Sequence, residues 1–575
     1  VNRRWLIKRT NREYLEYLSR TASISPILAQ ILINRGIKTP QEVYDFLRPG
    51  ITGLSDPYDI PGMRKAVERI KQAIHNREGI LIHGDYDVDG LTATAILIEA
   101  LGKAGLELHY FIPDRFTHGY GFNTDSIKLA KGLGLSLIIT ADCGISSFET
   151  AESARMEGLD VIITDHHEPT LDLQKGFLLP EAVAVVNPKL SADIHNHGLS
   201  GAGVALKLIH ALVMDKEVPL SEEDLLPLFD LAALGTVADV VPLIRENRII
   251  LKQGLSMISE DRRPGLKALR ELSGLKDRDI KAGLLSFTII PRINAAGRLY
   301  NSTDVVKLFI SSSEEEVFKI AGALNSMNSE RQAIEAEIYE DVLREINEKG
   351  YGFSIVLSSR RWHPGVLGIV ASKIAEEFYR PTFLFAIDGD VAKGSARSIP
   401  PFDIYRGLSC CKDILLSFGG HKQAAGLRLA ASMLPQFEEV IERIVRESIA
   451  EEDLVRVLKI DSEVSLTEIN HNLIRELSML EPLGYGNPEP LLGARSLNVA
   501  NPRIVGNNHL KVMMRQEEIT MDAVGFNMGG FIDHISSSEL IDVAFVPVVN
   551  EWNGGRYLQM NLKAIRPSID PPVNL

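Results

Sequence analysis

The feature that most constrains this chain is the placing of acidic and histidine clusters at the ends of short apolar runs. Apolar runs at residues 80–82, 136–140 and 160–164 each break directly into such a cluster. The clusters are His83-Gly84-Asp85-Tyr86-Asp87-Val88-Asp89-Gly90, Thr140-Ala141-Asp142-Cys143-Gly144 and Thr164-Asp165-His166-His167-Glu168. Helical patterns at 62–76, 91–104, 124–133, 147–157 and 201–214 alternate with these runs and with further strands at 106–112 and 182–186. Short apolar strands alternating with helices imply an α/β fold, with a parallel sheet covered on both faces. Loops leaving the carboxyl ends of such strands converge on one edge, where ligands bind. Three strands therefore deliver carboxylates and imidazoles to one place. A fourth cluster, Gly235-Thr236-Val237-Ala238-Asp239-Val240-Val241-Pro242, closes a helical run at 223–234 and can bring Asp239 to the same edge.

Gathered carboxylates repel one another, and burying them is costly without a compensating positive charge. Divalent cations supply it, and oxygen plus imidazole ligands without thiolate suit Mn²⁺ or Mg²⁺ better than structural zinc. Two such ions about 4 Å apart can stabilise a displacement at phosphorus with no covalent protein nucleophile. Plainer explanations exist for each cluster alone. Asp85-x-Asp87-x-Asp89-Gly90 has the start of a calcium loop, but its twelfth position is Ile96, where a carboxylate is needed. A lone Asp165-His166-His167 would be a helix cap with a core histidine, Asp142 a turn residue, and Asp239 a helix-end accident. Those separate explanations do not account for three clusters at matching strand ends.

The remainder reads as further domains, as 575 residues exceed one core. Residues 314–348 form one long helical pattern, a natural connector. A second, smaller α/β pattern follows, with strands at 353–357 and 382–386 and a helix at 366–378. It concentrates Arg360, Arg361, His363, Lys393, Arg397, Arg406, His421 and Lys422. Residues 394–398 read as a small polar loop suited to a terminal phosphate, and Gly419-Gly420 as a pair permitting close backbone approach to phosphate, a tight turn before a helix being its plainer role. After 455, short β-rich runs at 509–514, 519–526, 541–547 and 557–563 suggest a small barrel. Its Phe526, Phe545, Trp552 and Tyr557 are stacking candidates, with barrel core the plainer role for most of them. The expected boundaries are 1–55, an N-terminal segment; 56–270, the metal-site domain; 271–349, a helical connector; 350–452, the substrate domain; and 453–567, the barrel. The net charge of −14 argues weakly against nucleic acid as a partner, though a local basic channel can hide in an acidic total. The most apolar long stretch, 225–244, carries Asp230 and Asp239, so no membrane span is expected. Three cysteines and an N-terminus without an apolar leader pattern suggest reduced thiols in a cytoplasmic protein.

The four clusters resemble the motifs of the DHH phosphoesterase superfamily, named for the triplet seen here as Asp165-His166-His167. Within it the chain is most similar to the RecJ single-stranded-DNA exonucleases. The supporting motifs are Pro291-Arg292-Ile293-Asn294-Ala295-Ala296-Gly297-Arg298, Trp362-His363-Pro364-Gly365-Val366-Leu367-Gly368, Gly419-Gly420-His421-Lys422-Gln423-Ala424-Ala425-Gly426 and Glu481-Pro482-Leu483-Gly484-Tyr485-Gly486-Asn487-Pro488. The resemblance implies a 5′-to-3′ exonuclease of single-stranded DNA in repair and recombination. It would use two Mn²⁺ or Mg²⁺ ions and end in an oligonucleotide-binding (OB) barrel. It implies His83 and Asp87 on one ion, Asp89, His166 and Asp239 on the other, and Asp142 bridging. Asp85 is a further carboxylate, and Asp165 and His167 belong to the catalytic set, with His167 orienting a ligand or touching the scissile phosphate. Arg115, Arg292, Arg298, His363, Ser395, Arg397, Gly420 and His421 become substrate contacts. A passage too narrow for duplex would give strand specificity, and the expected partners are a helicase and a single-strand-binding protein around a monomeric enzyme. The alternatives are a small-substrate DHH phosphodiesterase, which often lacks the terminal barrel, and a non-catalytic replication scaffold, which loses metal ligands.

Overall fold

The computed structural model describes residues 4–568 except 115–116, 120, 173, 194–197, 300–301, 537–539 and 553–554; the side chains of Leu299, Ser536 and Trp552 are also outside the description. The chain forms two compact units. One holds Trp5–Lys267, Leu275–Ile290 and Lys459–Leu575; the other holds Val1–Arg4, Ala268–Gly274 and Pro291–Leu458.

The first unit contains an all-parallel sheet of β1 (Gly79–His83), β2 (Glu107–Phe111), β3 (Leu137–Ala141), β4 (Asp160–Thr164) and β5 (Ala184–Val186). Its order is β2-β1-β3-β4-β5. The chain steps outward from β1 to β2, then crosses back to β3. The crevice between β1 and β3 is therefore the topological switch point, where such sheets bind ligands. Helices α1 (Met63–Asn76), α2 (Val88–Lys103), α3 (Thr124–Gly132), α4 (Phe148–Met156), α5 (Gly201–Met214) and α6 (Phe229–Ala238) follow, then α7 (Arg245–Ser259). Asp87 caps α2 by accepting from Gly90 N at 3.1 Å, so the helix starts just after β1 ends. The expected single helix at 223–234 is broken. Glu222–Leu225 is helical, Leu226–Leu228 is a 3-10 turn, and α6 starts at Phe229, because Pro227 lacks the N–H that would continue the ladder.

In the second unit, α8 (Glu314–Lys349) forms the expected long helix. It does more than connect: Ile338, Val342 and Ile346 share a core with Leu367, Val370 and Ile374 of α9 (Leu367–Phe378). The sheet here comprises β6 (Ile355–Ser359), β7 (Thr382–Asp388), β8 (Val391–Arg397), β9 (Leu415–His421) and β10 (Ala424–Ala430), in the order β9-β10-β8-β7-β6. Phe383, Phe385, Ala396, Ala425 and Leu427 face α10 (Leu434–Ser448) through Phe437 and Ile441; Leu384 and Ala386 face α8 and α9. Two sequence expectations change. Residues 394–397 end strand β8 instead of forming a loop, because Gly394 leaves the space that the Phe385 ring occupies, where a Cβ would collide with it. Gly419 and Gly420 close strand β9, paired with Gly426 and Ala425, rather than forming a turn before a helix.

In the first unit, β11 (Leu492–Val505), β12 (His509–Gln516), β13 (Ile519–Gly525), β14 (Ile541–Trp552) and β15 (Gly555–Pro567) close a barrel in the order β11-β12-β13-β15-β14, back to β11. Only β13–β15 is parallel. Phe545 lies in the barrel core, while Phe526 and Tyr557 are exposed. The barrel core continues into Leu28, Ile31 and Leu32 of helix Pro26–Asn34, so the N-terminal segment packs with the barrel. Among the described residues, no helix is long and apolar enough to cross a membrane.

Candidate functional site

The carboxyl ends of β1, β3 and β4, with the end of α6, bring three groups of potential ligands together. They are Asp85, Asp87 and Asp142; Asp89, His166 and Asp239; and Asp142, His166 and His167, the ligand atoms within each group lying within 4.8 Å of one another. His166 Nε2 stands 3.1 Å from Asp142 Oδ1, 3.5 Å from Asp239 Oδ2 and 3.8 Å from Asp89 Oδ2. That nitrogen is buried and makes no hydrogen bond. A buried imidazole nitrogen among three carboxylate oxygens, with no proton shared, is the donor set of a divalent-cation site. The residues fit such ions.

Electrostatics agrees with this. Burial, and then the Asp87 charge, pushes Asp89 up to about 7. Burial, Asp89 and Asp87 push Asp239 up to about 8, and burial and the same carboxylates raise Asp142 well above the usual range. Burial and the neighbouring His167 depress His166 to about 3, leaving it a neutral ligand. A cluster that holds its own acids partly protonated is completed by a cation.

Asp165 has another task. Its carboxylate accepts from His166 N at 2.7 Å, His167 N at 3.0 Å and Ile145 N at 2.9 Å, and pairs with His167 Nδ1 at 2.7 Å. Burial opposes its charge, yet the His167 hydrogen bond and charge hold Asp165 below the usual carboxylate range. Burial also opposes a charge on His167, but Asp165 and then Asp239 and Asp87 raise it to about 9. Asp165 is thus a positioning residue that fixes the turn and sets the His167 ring. Asn187 adds to this by donating to His167 O at 2.9 Å.

Three glycines clear space for the carboxylates. A Cβ at Gly90 would stand 2.7 Å from Asp85 Cβ; one at Gly201 would collide with the Asp142 carboxylate, and one at Gly235 with Asp89. Asp89 also lies on the start of α5, accepting from Gly201 N at 2.6 Å and Ala202 N at 2.9 Å, where the helix dipole favours a negative charge. Gly201 and Asn187 escaped the sequence reading because their roles are clearances and reach across the fold. The one local hint is Ser200 capping a helix that opens on small residues.

His83 stands apart. Among the described residues it joins none of the three groups. Its ring stacks on Phe111 and meets Phe122 edge-on, and Nε2 lies 3.3 Å from Gly121 O. Burial pushes it down to about 4. Asp85, whose role the sequence left open, takes the place beside Asp87 and Asp142.

The second unit holds the other expected contacts. Ser395 and Arg397 share one face of β8, with Arg397 Nε 3.0 Å from Ser372 Oγ and Nη1 3.3 Å from Ser395 Oγ. A Cβ at Gly368, near the start of α9, would stand 2.9 Å from Arg397 Nη2 and 3.0 Å from Ser395 Oγ. Arg298 donates to Gly365 O at 3.3 Å, and Gly365 N to His363 Nδ1 at 3.2 Å. His421 pairs with Ala424, which pairs with Arg397, so both side chains belong to one sheet face. Between them Gly419 and Gly426 border open space. Gly420, at φ 144°, could not take a Cβ without meeting Ala425 Cα at 2.6 Å. Arg292 stands elsewhere, donating to Asn325 of α8 at 3.0 Å. Arg115 lies outside the described residues.

The chain resembles known proteins over nearly its whole length. Family models match as the DHH family N-terminal domain over residues 79–236, the DHHA1 domain over 347–447 and the RecJ OB domain over 460–564. The single-stranded-DNA-specific exonuclease RecJ of Bacillus subtilis is 38% identical over 97% of this chain and 70% of its own length. The Escherichia coli protein of the same name is 34% identical over 98% of this chain and 99% of its own. The chain belongs to the RecJ family. The crystal structure of RecJ in complex with Mn²⁺ from Thermus thermophilus superposes with a TM-score of 0.84 at 30% identity, covering 98% of this chain and 80% of that one. RecJ from the same organism has also been solved with Mg²⁺.

Proposed function

We propose that the chain is a single-stranded-DNA-specific exonuclease that digests from the 5′ end, with two Mn²⁺ or Mg²⁺ ions at the switch point of the parallel sheet. The observation that carries this is His166 Nε2, buried without a hydrogen bond among the carboxylates of Asp142, Asp239 and Asp89. Asp89, His166 and Asp239 would hold one ion, His83 and Asp87 the other, and Asp142 would serve both, with Asp85 a further carboxylate beside Asp87 and Asp142. When bound, the ions supply Lewis acidity and neutralise charge for an in-line displacement at phosphorus. Asp165 keeps His167 Nδ1 engaged and its ring protonated, so His167 Nε2 is the atom that donates to a scissile phosphate oxygen. Ser395 and Arg397 bind the 5′-terminal phosphate, Arg397 by charge-assisted hydrogen bonds, and Arg298, His363, Gly420 and His421 accommodate the backbone. Arg292 and Arg115 are assigned to the same strand. A helicase and a single-strand-binding protein are the proposed partners, and the cytoplasm the proposed compartment.

Digestion of 5′-labelled and 3′-labelled single strands in Mn²⁺, with Asp142→Ala beside the wild type, tests the reading. Early release of 5′ label by the wild type alone supports it. Turnover of dinucleotides but not of long strands would move the function to a small-substrate phosphodiesterase.

A further inference from the structure

Asp239 ends α6 and is followed at once by a strained residue. Val240 has φ 57°, in the left-handed region. A β-branched residue there is strained and persists only where the surroundings fix it. The segment that follows is held by Asn247 of α7, which donates to Pro242 O at 3.0 Å, and by the loop that leads into the barrel. Leu243 N donates to Tyr485 O at 2.7 Å. A Cβ on Gly486, itself at φ 75°, would stand 3.0 Å from Pro242 Cβ and 3.2 Å from Pro242 Cα, and one on Gly484 would stand 2.5 Å from Leu243 Cδ1.

That loop is in turn clamped from behind. Gly484 and Asn487 exchange backbone hydrogen bonds of 2.9 and 3.1 Å. The buried Asn487 side chain donates to Leu480 O at 2.7 Å and Pro482 O at 2.8 Å. Arg248 of α7, only 1% exposed, donates to the carbonyls of Phe46 at 2.7 Å, Met479 at 2.9 Å, Leu480 at 2.8 Å, Glu481 at 2.6 Å and Pro482 at 3.2 Å. Arg35 donates to Asn487 Oδ1 and to Pro488 O. Among the described residues, Arg248 has no carboxylate at ion-pair distance; carbonyl dipoles and the Phe46 ring, 4.1 Å from the guanidinium carbon, compensate its charge. A buried cation held that way tolerates little displacement of its partners.

We infer that loop 479–488 is a positioning element for the Asp239 carboxylate, so that the segment leading into the barrel sets the affinity of one of the two cation sites. This rests on the proposed role of Asp239 as a ligand. The loop touches residues 242 and 243, not the Asp85, Asp87 and Asp142 group, so its effect is selective. It acts through backbone contacts, which is why Gly484, Gly486 and Asn487 are small or amide residues at those points.

Mn²⁺ titration of the full chain without DNA, read by calorimetry, compares wild type with Asp239→Ala, Gly486→Ala and the isosteric Asn487→Asp. Binding of a labelled single strand to each metal-free protein is measured beside it. Asp239→Ala should weaken one of the two Mn²⁺ steps. Gly486→Ala and Asn487→Asp should weaken that same step on the order of tenfold, as loss of ligand-orienting contacts does. The other step and metal-free strand binding should stay at wild-type values. Wild-type affinity for both steps in a folded Gly486→Ala or Asn487→Asp overturns the inference while Asp239→Ala still supports the ligand assignment. Equal weakening of both steps means general damage and also overturns it. An unaltered titration for Asp239→Ala removes the ligand assignment and the inference with it.

Discussion

The switch-point site of the parallel sheet and the partly open face of the second sheet handle charge in opposite ways. In the first, Asp89, Asp142, Asp165 and His166 are buried against one another, and glycines at 90, 201 and 235 leave room for the carboxylates alone. In the second, Ser395, Arg397 and His421 stand along a face where Gly419 and Gly426 border open space. Buried charges of one sign demand fixed geometry, since each oxygen must face a cation at about 2 Å. A half-buried Arg397 beside an exposed His421 on a smooth sheet would follow a polymer whose backbone shifts between turnovers. The proposed chemistry is pre-organised; the proposed substrate grip is adaptable.

Removing the central carboxylate should break the first half of this contrast most severely. Asp142→Ala would deprive both proposed cation sites of their shared ligand, with an expected rate loss of roughly 10³-fold or more on single-stranded DNA in Mn²⁺. Initial rates of 5′-label release measure it, beside thermal unfolding to show that the variant is folded.

Acidification should act next most strongly. Asp89 and Asp239 are raised to about 7 and about 8, so in metal-free protein they take up protons as pH falls from 8 to 6. Cation binding must then release them, and apparent Mn²⁺ affinity should drop on the order of 10²-fold over that range. The sign for stability is the reverse. Raised carboxyl groups contribute stability that is complete below about 4 and is lost as pH rises through 7–8. The metal-free midpoint of unfolding should therefore fall from pH 5 to pH 8, and saturating Mn²⁺ should cancel the fall. A flat profile in metal-free protein would show that the cluster needs no cation to settle its charge.

Gly201→Ala sharpens the same contrast without touching a ligand. The added methyl collides with the Asp142 carboxylate, and displacing a ligand through its support costs about 10–100-fold in metal affinity or rate. Arg397→Ala tests the other region. It should raise KM for 5′-phosphorylated strands by about tenfold, the worth of one charge-assisted contact. It should change kcat little and abolish any preference over 5′-hydroxyl strands. A fall in kcat at unchanged KM would place Arg397 in the chemical step.

What the sequence made legible follows the same division. The parallel sheet could be read because each strand is a short apolar run and each ligand cluster sits at its end; periodicity and chemistry coincide. Strand β8 could not, since Gly394-Ser395-Ala396-Arg397 has the composition of a loop. Gly394 is there to admit Phe385, a packing fact with no local trace. Strand β11 was hidden by Asn498, Asn501 and Pro502, and its pairing does slip between Ala500 and Arg503. A histidine between Phe111 and Phe122 looks in sequence like any other histidine at a strand end. The loop at 481–488 was visible only as a motif, because its partners at 242–243 and 248 lie far away in the chain.

The smallest effect is expected from His421→Ala, and its size decides whether the open face is adaptable. His421 reaches Arg397 only through the intervening Ala424, on an exposed strand end at the edge of the sheet. A contact to phosphate in such high-dielectric surroundings contributes about 0.2–1 kcal/mol, or up to roughly fivefold in KM. Its loss should leave the dependence of KM on salt nearly unchanged, whereas removing Arg397 should lower the salt slope by about one phosphate contact. If His421→Ala instead matched Arg397→Ala in both KM and salt slope, the two would form one fixed phosphate site. The second sheet would then be as pre-organised as the first.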